Sequence, residues 1–369
     1  MVDSPYPELK KTHTMAHVGR PWTDYKPPTS APVWDVVDGF GRFHALVAAL
    51  ELGVFEAVER RGRATGDELA AELNVSAPHL DALLDGIVAM GFMERRGSGV
   101  ELNDTARRYL LRDGAASMVD LIPVSPGPLD NWRTIVDTIR NGRPAAPVDD
   151  DPAAFYVPLV EGTFTTILRC ARRADLQLRY SALSAPKVLD LGAGGAPWAI
   201  AVLSGNDQAT AVVNDLPGVI DVAVRKVEEH DVGERVQLLA GDYFDVELPV
   251  AEFDLVVLGH VVRAEGADGA RRLIDRAVAA TRPGGRVVIG DYFTDARRSA
   301  ANPHALMMGV TMMASTERGA TFSHDDVATW LRAAGCENVR IIEPIGFQQV
   351  LVGDRPAETS PSAATGSSE

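Results

Sequence analysis

The stretch Val256–Gly266, VVLGHVVRAEG, holds three side chains capable of chemistry: His260, Arg263 and Glu265. A histidine there could take a proton as a general base. An arginine cannot, because its guanidinium keeps its charge at ordinary pH, but it can clamp a carboxylate bidentately. A second histidine, His304, opens the run HALMMGVTMMASTERG. His260 and His304 would give a metal two nitrogen ligands, and Asp291 or Glu317 would have to supply a third. Upstream, VLDLGAGGAPWA sets Asp190 just ahead of Gly192, Gly194 and Gly195. Glycines at such a turn let a ligand approach the backbone, and a carboxylate beside their amides suits a cofactor carrying an ammonium group. A dinucleotide fingerprint wants Gly or Ala where Pro197 stands, so a nicotinamide cofactor fits poorly. Asp215, closing AVVND ahead of Leu216, is placed for ribose hydroxyls. Asp242, with Tyr243 and Phe244 after it, is placed for an adenine.

These residues need a frame that brings strand ends together. From residue 186 the chain alternates short β-branched runs (KVLDL, FDLVVLG, GRVVIGD) with helical stretches such as GARRLIDRAVAAT. Strands alternating with helices predict a doubly wound, Rossmann-like α/β domain over 186–353, whose ligands sit at the carboxyl ends of the strands. Gly259 would lie at one such end. Residues 31–110 read instead as mostly helical, a helix–turn–helix with a two-strand wing and N-caps at Thr65 and Ser76. The segment GRFHALVAALELGVFEAVE carries one apolar helical stripe. Residues 111–185 read as a helical linker whose aromatics Trp132, Phe155, Tyr156 and Phe164 either fill core or roof a substrate pocket. Met307, Met308, Met312 and Met313 recur at helical spacing and are either core or a pliable wall over an acceptor. Residues 1–30 read as a flexible arm and 354–369 as a disordered tail. His13 and His17 have zinc-like spacing but stand alone in that arm.

Composition narrows the partners. The 369 residues carry a net charge of -15, and such a surface repels phosphate backbones and anionic lipid. The second helix of the winged-helix pattern offers Asp81 and Asp85 but no Lys or Arg, so dimerisation explains it better than DNA binding. A regulator that binds an effector in the α/β domain is the reading of another class. Cys170 and Cys336 are far apart, no apolar run approaches a membrane span, and the first residues lack a signal-like apolar core. These features predict a cytoplasmic protein with neither nucleic acid nor membrane as partner.

The run VLDLGAGGAP, NDLPGVIDVA, AGDYFD, FDLVVLGHVV, RPGGRVVIGDYF and LRAAGC resembles the class I S-adenosylmethionine-dependent methyltransferases. More narrowly, it is similar to the plant caffeate and bacterial polyketide O-methyltransferases, over roughly residues 33–353. The resemblance implies a winged-helix dimerisation domain, a homodimer and a small-molecule acceptor, with S-adenosyl-L-methionine as cofactor. It places Gly192 and Gly194 at the methionine part, Asp215 at the ribose, and Asp242 with Tyr243 at the adenine.

At the catalytic position the chain departs from that family. The family's base is a histidine in a His-Asp-Trp segment, oriented by a glutamate in a GGxERT-like segment. Here Arg263, Ala264 and Glu265 occupy the first positions and Thr321 falls at the glutamate. Three readings follow. The acceptor is an amine, a thiol or thioether, or an activated carbon that needs no base, with Arg263 gripping an acidic group on it or, in the bland alternative, pairing with Glu265. Or His260 replaces the base in an O-methyltransferase. Or His260 and His304 hold a metal for C-methylation of a keto acid. An enzyme that uses the cofactor without transferring its methyl shares the same cofactor residues.

Overall fold

The computed structural model describes residues 29–345 and 348–357. Residues 1–28, with His13 and His17, and nearly all of the tail lie outside the described residues.

The apolar stripe of the first segment folds as two helices, α1 (Ala31–Glu51) and α2 (Val54–Arg61). Gly53 separates them in the left-handed region at φ 72, a conformation that costs glycine nothing. A short strand β1 (Ala64–Thr65) leads into α3 (Gly66–Leu73), and α4 (Ala77–Ala89) completes the helix–turn–helix. Thr65 closes a capping box on α3, its hydroxyl accepting from the Glu68 amide while Glu68 accepts from the Thr65 amide at 2.8 Å. Ser76 occupies the cap position of α4, but its hydroxyl turns to His79 Nδ1 at 2.8 Å and does not cap. The wing is β2 (Met93–Arg96) paired with β3 (Gly99–Leu102), and β1 joins it as a third strand. Arg95 pairs with Asp85 of α4 and Arg96 with Glu94, so the wing's basic pair is already matched by carboxylates.

The segment after the wing is built from α5 (Asp104–Tyr109), three short helices α6 (Leu121–Val124), α7 (Leu129–Arg133) and α8 (Ile135–Asn141), and the long α9 (Pro152–Leu178). Then come β4 (Lys187–Leu191), α10 (Pro197–Gly205), β5 (Thr210–Asp215), α11 (Ile220–Glu229), β6 (Val236–Ala240) and β7 (Phe253–Gly259). The chain continues with α12 (Gly266–Ala280), β8 (Thr281–Asp291), α13 (Pro303–Ser315), α14 (His324–Ala333), β9 (Glu337–Ile345) and β10 (Gln348–Asp354). The seven strands form one sheet in the order β6-β5-β4-β7-β8-β10-β9. The five from β6 to β8 are parallel and only β10 reverses against its two neighbours. This is the doubly wound domain expected from the alternation of strands and helices.

Each face of the sheet buries its own apolar layer, because side chains alternate along a strand. Val188, Val257 and Val288 pack under α9 and α10, whereas Leu189, Val256 and Val287 pack under α12 and α14. The N-terminal helices hold a third, separate core around Phe55, Leu69 and Leu84. Parallel strands turn their carboxyl ends to one edge, and β10, running the other way, brings its first residue to that same edge.

Candidate active site

A cavity of about 350 Å³ opens at that edge. Asp190 (β4), Gly192 and Gly194 (the turn after it), Asp215 (β5), Gly259 (β7) and His260 line it. Leu216, Asp242, Tyr243, Arg263 and Glu265 line it as well, so the edge gathers residues scattered over 76 positions of sequence. The glycine turn is shaped by its surroundings. Gly192 has φ 61, and a Cβ there would meet Val261 Cγ1 at 2.4 Å. The Gly194 amide donates to Asp215 Oδ2 at 2.6 Å and the Leu216 amide to Asp215 Oδ1 at 2.7 Å, locking that carboxylate at the end of β5. Burial raises the Asp215 carboxyl, and the same two amides lower it in part.

Asp190 is fully buried. One oxygen accepts from the Ala199 amide at 3.2 Å, and the other has no partner among the described residues. Burial pushes its carboxyl up to about 8. Beside it Trp198, in the first turn of α10, fits into a socket that two glycines make. A Cβ on Gly259 or on Gly290 would lie 2.6 Å from the indole. Gly290→Ala is therefore expected to destabilise the protein by about 1–3 kcal/mol through overpacking. A lower denaturation midpoint would show it; an unchanged one would mean that the indole moves aside.

The opening segment is arranged around Asp291, the last residue of β8. Arg263 Nη1 donates to Asp291 Oδ1 at 2.7 Å and lies 3.0 Å from His260 Nδ1. Asp291 is 2% exposed; burial alone would raise its carboxyl, but Arg263, His260 and the Tyr292 amide together outweigh that and hold it well below the usual carboxylate range. The guanidinium expected to grip an acidic acceptor is thus already neutralised from within. Nor does it pair with Glu265, whose Oε1 accepts from the Tyr243 hydroxyl at 2.5 Å. His260 Nδ1 stands 3.7 Å from Asp291, too far for a hydrogen bond, and nearer to the arginine. Because Arg263 can only donate, Nδ1 must accept, and the ring proton sits on Nε2. In this tautomer the ring lone pair of a neutral His260 is engaged by Arg263, so the arrangement gives no support to a histidine base. Burial also holds the ring below its ordinary value.

The metal reading finds no third ligand. The Tyr292 ring contacts both His260 and His304, with centroids at 5.3 Å and 4.7 Å. Asp291 belongs to Arg263, and Glu317 pairs with Arg143 at 2.8 Å. Among the described residues no three His, Cys, Asp or Glu side chains group as a metal site would need.

Several expected residues lie elsewhere. His304 does not line the cavity. Phe244 packs against the apolar layer under α12 and α14, with Arg272 over its ring at 4.5 Å. The Trp132 indole donates to the Pro126 carbonyl at 2.8 Å, and Phe155 lies near Gly127, away from the cavity wall. Met307 is 55% exposed, Met312 is buried against Gly319, and neither these nor Met308 reach the cavity. Of the aromatic set, Phe164 does line it, seated against Gly195, and so does Tyr156. The sequence reading missed Val160, Trp198, Tyr292 and Gln348 as lining residues. For the first two, a helix face repeating toward a glycine turn was the available signal. Gln348 had none, since its place depends on β10 running backwards.

Residues 171–337 match the model of the O-methyltransferase domain, and residues 34–113 match that of the O-methyltransferase dimerisation domain. The chain belongs to this family of S-adenosylmethionine-dependent methyltransferases. It is similar to 3-hydroxy-5-methyl-1-naphthoate 3-O-methyltransferase of Streptomyces sahachiroi, 26% identical over 321 residues, 84% of this chain and 90% of the relative. It is similar too to the N,N-dimethyltransferase OxyT of Streptomyces rimosus, 25% identical over 295 residues, 74% of this chain and 83% of that one. The fold is shared with human N-acetylserotonin methyltransferase, solved with S-adenosylmethionine, at a TM-score of 0.76 and 19% identity, covering 90% of this chain and 99% of that one. The site suits the family's cofactor on its own evidence: Asp190, which lines the cavity together with the glycine turn, keeps a fully buried carboxylate oxygen without a partner among the described residues, which an ammonium group could satisfy.

Proposed function

We propose that this enzyme methylates a small natural-product acceptor whose nucleophile needs no base from the strand-end segment. The observation that carries this is Arg263, standing where the family keeps its histidine and bound to Asp291 at 2.7 Å. Amines, thiols and carbons already acidified by a neighbouring carbonyl meet that condition, and the N-methylating relative OxyT supports the first of them. The gripping of an acidic acceptor by Arg263 is not part of this reading, since Asp291 takes that charge.

In this reading Gly192 and Gly194 hold the methionine part with Asp190 at its ammonium. Asp215 and Leu216 hold the ribose, and Asp242, Tyr243 and Gly259 bound the adenine end. Bound there, S-adenosylmethionine supplies a methyl group on a positively charged sulfur. The protein's own contribution is alignment and exclusion of water, which can account for a large share of such a rate enhancement. Asp215→Ala is expected to weaken cofactor binding tenfold or more by calorimetry, through loss of a charge-assisted contact; unchanged affinity would remove Asp215 from the ribose.

A homodimer completes the reading. Trp34, Val36, Val37 and Phe40 of α1 are 60%, 79%, 56% and 74% exposed, an apolar face inside the segment matching the dimerisation domain. The exposed acidic helix α4 and the paired wing arginines speak against a DNA-binding regulator. No described helix is long and apolar enough to cross a membrane.

The test is turnover of an amine, a thiol, a β-dicarbonyl and a phenol with methyl-labelled cofactor, the product read by mass. The pH dependence of kcat is expected to follow the acceptor's own ionisation. A phenol turned over with an extra acid limb, below the ordinary histidine range, that vanishes in His260→Asn would restore the histidine base and overturn the proposal.

A further inference from the structure

We propose that His260 and Gln348 read the acceptor, selecting a planar group in which a carbonyl oxygen lies beside an N–H or O–H. This deepens the methyl-transfer reading and rests on it for the cofactor half of the cavity.

Four residues that line this one cavity each carry a buried polar atom with no hydrogen-bond partner among the described residues: Asp190 Oδ1, Trp198 Nε1, His260 Nε2 and Gln348 Oε1. A buried polar group left unpaired is costly, so each marks a place where a ligand can repay its burial. Asp190 and Trp198 flank the glycine turn and belong to the cofactor. The other two lie along the sheet edge, beyond β7, and both neighbour Tyr292. The His260 ring contacts the Tyr292 ring, and the Gln348 side chain is in hydrogen-bonding reach of the Tyr292 hydroxyl.

Their chemistry is complementary. Arg263 at Nδ1 obliges His260 to carry its proton on Nε2, so that atom is a donor. The free atom of Gln348 is its carbonyl oxygen, an acceptor, in a side chain only 5% exposed. A donor and an acceptor that both neighbour Tyr292 suit a ligand that carries an acceptor and a donor close together. A carboxamide has that pattern, as does a hydroxyl or amine next to a conjugated carbonyl.

The backbone gives a second, independent sign. His260 has φ 64, in the left-handed region that a residue with a branched ring side chain rarely adopts, and its amide donates to the Gly290 carbonyl at 2.7 Å. An extended conformation would carry the chain straight on from β7. The turn instead sets the imidazole against Tyr292 at the cavity wall.

The test uses the full-length enzyme loaded with S-adenosylhomocysteine and two probes, 2-aminobenzamide and toluene, with binding followed by ligand-observed NMR. 2-Aminobenzamide is expected to bind at least tenfold tighter, since toluene leaves both protein groups unpaired. His260→Asn, which tolerates the left-handed backbone but is too short to reach, should abolish most of that preference. Gln348→Leu should do the same, whereas Gln348→Glu, which keeps an acceptor oxygen, should retain it. S-adenosylhomocysteine affinity should stay constant in all three, which shows that each folds. Equal binding of the two probes by the wild type, or an undiminished preference in both His260→Asn and Gln348→Leu, would overturn the proposal. Because no methyl is transferred in this assay, a surviving preference in an enzyme that methylates nothing would count against the transfer reading alone.

Discussion

Replacing Arg263 by leucine is expected to cost on the order of 3–5 kcal/mol of folding stability near pH 8, the usual loss when one partner of a buried ion pair is removed. Asp291 would remain, 2% exposed, with only the Tyr292 amide and the more distant His260 to hold its charge. The sign with pH follows from its ionisation. In the wild type the carboxyl is held far below its unfolded value, so its contribution is present above the unfolded value of about 4 and fades only in strong acid. In Arg263→Leu burial is opposed only by the Tyr292 amide and His260, and the carboxyl rises. The defect should therefore shrink as pH falls from 8 towards 5, where Asp291 can take up a proton. Adding Asp291→Leu should recover most of the loss, because two apolar groups replace two charges. Urea denaturation at pH 5 and pH 8 for the wild type, both single variants and the double variant measures this as a coupling energy. Additive effects would show that the pair is not the unit described.

The second large effect is a conflict between stability and binding at Asp190. Its folded value of about 8 lies well above the unfolded value near 4, so folding takes up a proton at neutral pH. The unfolded state then binds fewer protons than the folded one, and stability falls as pH rises from about 4 to about 8, levelling beyond. At about 1.4 kcal/mol per pKa unit this one group costs on the order of 2–5 kcal/mol by pH 8. Asp190→Asn keeps an oxygen for the Ala199 amide and cannot ionise, so the protein without cofactor should melt several degrees higher at pH 8 and show little change at pH 5. The same variant should bind S-adenosylmethionine at least tenfold more weakly, having lost the charge that faces the ammonium. In the wild type, cofactor binding should release a proton, so affinity should climb with pH up to about 8. Calorimetry in two buffers of different ionisation heat detects that proton; no release at pH 7 would place the ammonium elsewhere.

Much of this protein is legible along the chain because its signals are local. Strands alternating with helices, LGAGG after KVLDL, and Asp215 and Asp242 at their strand ends each need only a few neighbouring residues to be read, and parallel strands put them all at one edge. The departure at Arg263 is equally local, and with it the absence of the usual histidine. What chemistry the departure implies was not. That Arg263 meets Asp291, 28 positions away, follows from β7 and β8 being neighbours in the sheet, and the guanidinium held there, 3.0 Å from His260 Nδ1, decides which ring nitrogen holds the proton. Met307, Met308 and Met312 show the converse: helical spacing placed them on one helix correctly, but which way that helix turns is set by packing against α7 and α8. Gln348 reaches the site because a reversed strand ends the sheet, and hydrogen-bonding between strands distant in sequence leaves no mark on the residues around it. Sequence alone determined the fold, the family and the strand-end residues gathered around the glycine turn, which rest on short motifs; the opposite wall of the cavity was decided by tertiary structure, since it is assembled from contacts that exist only once the sheet has closed.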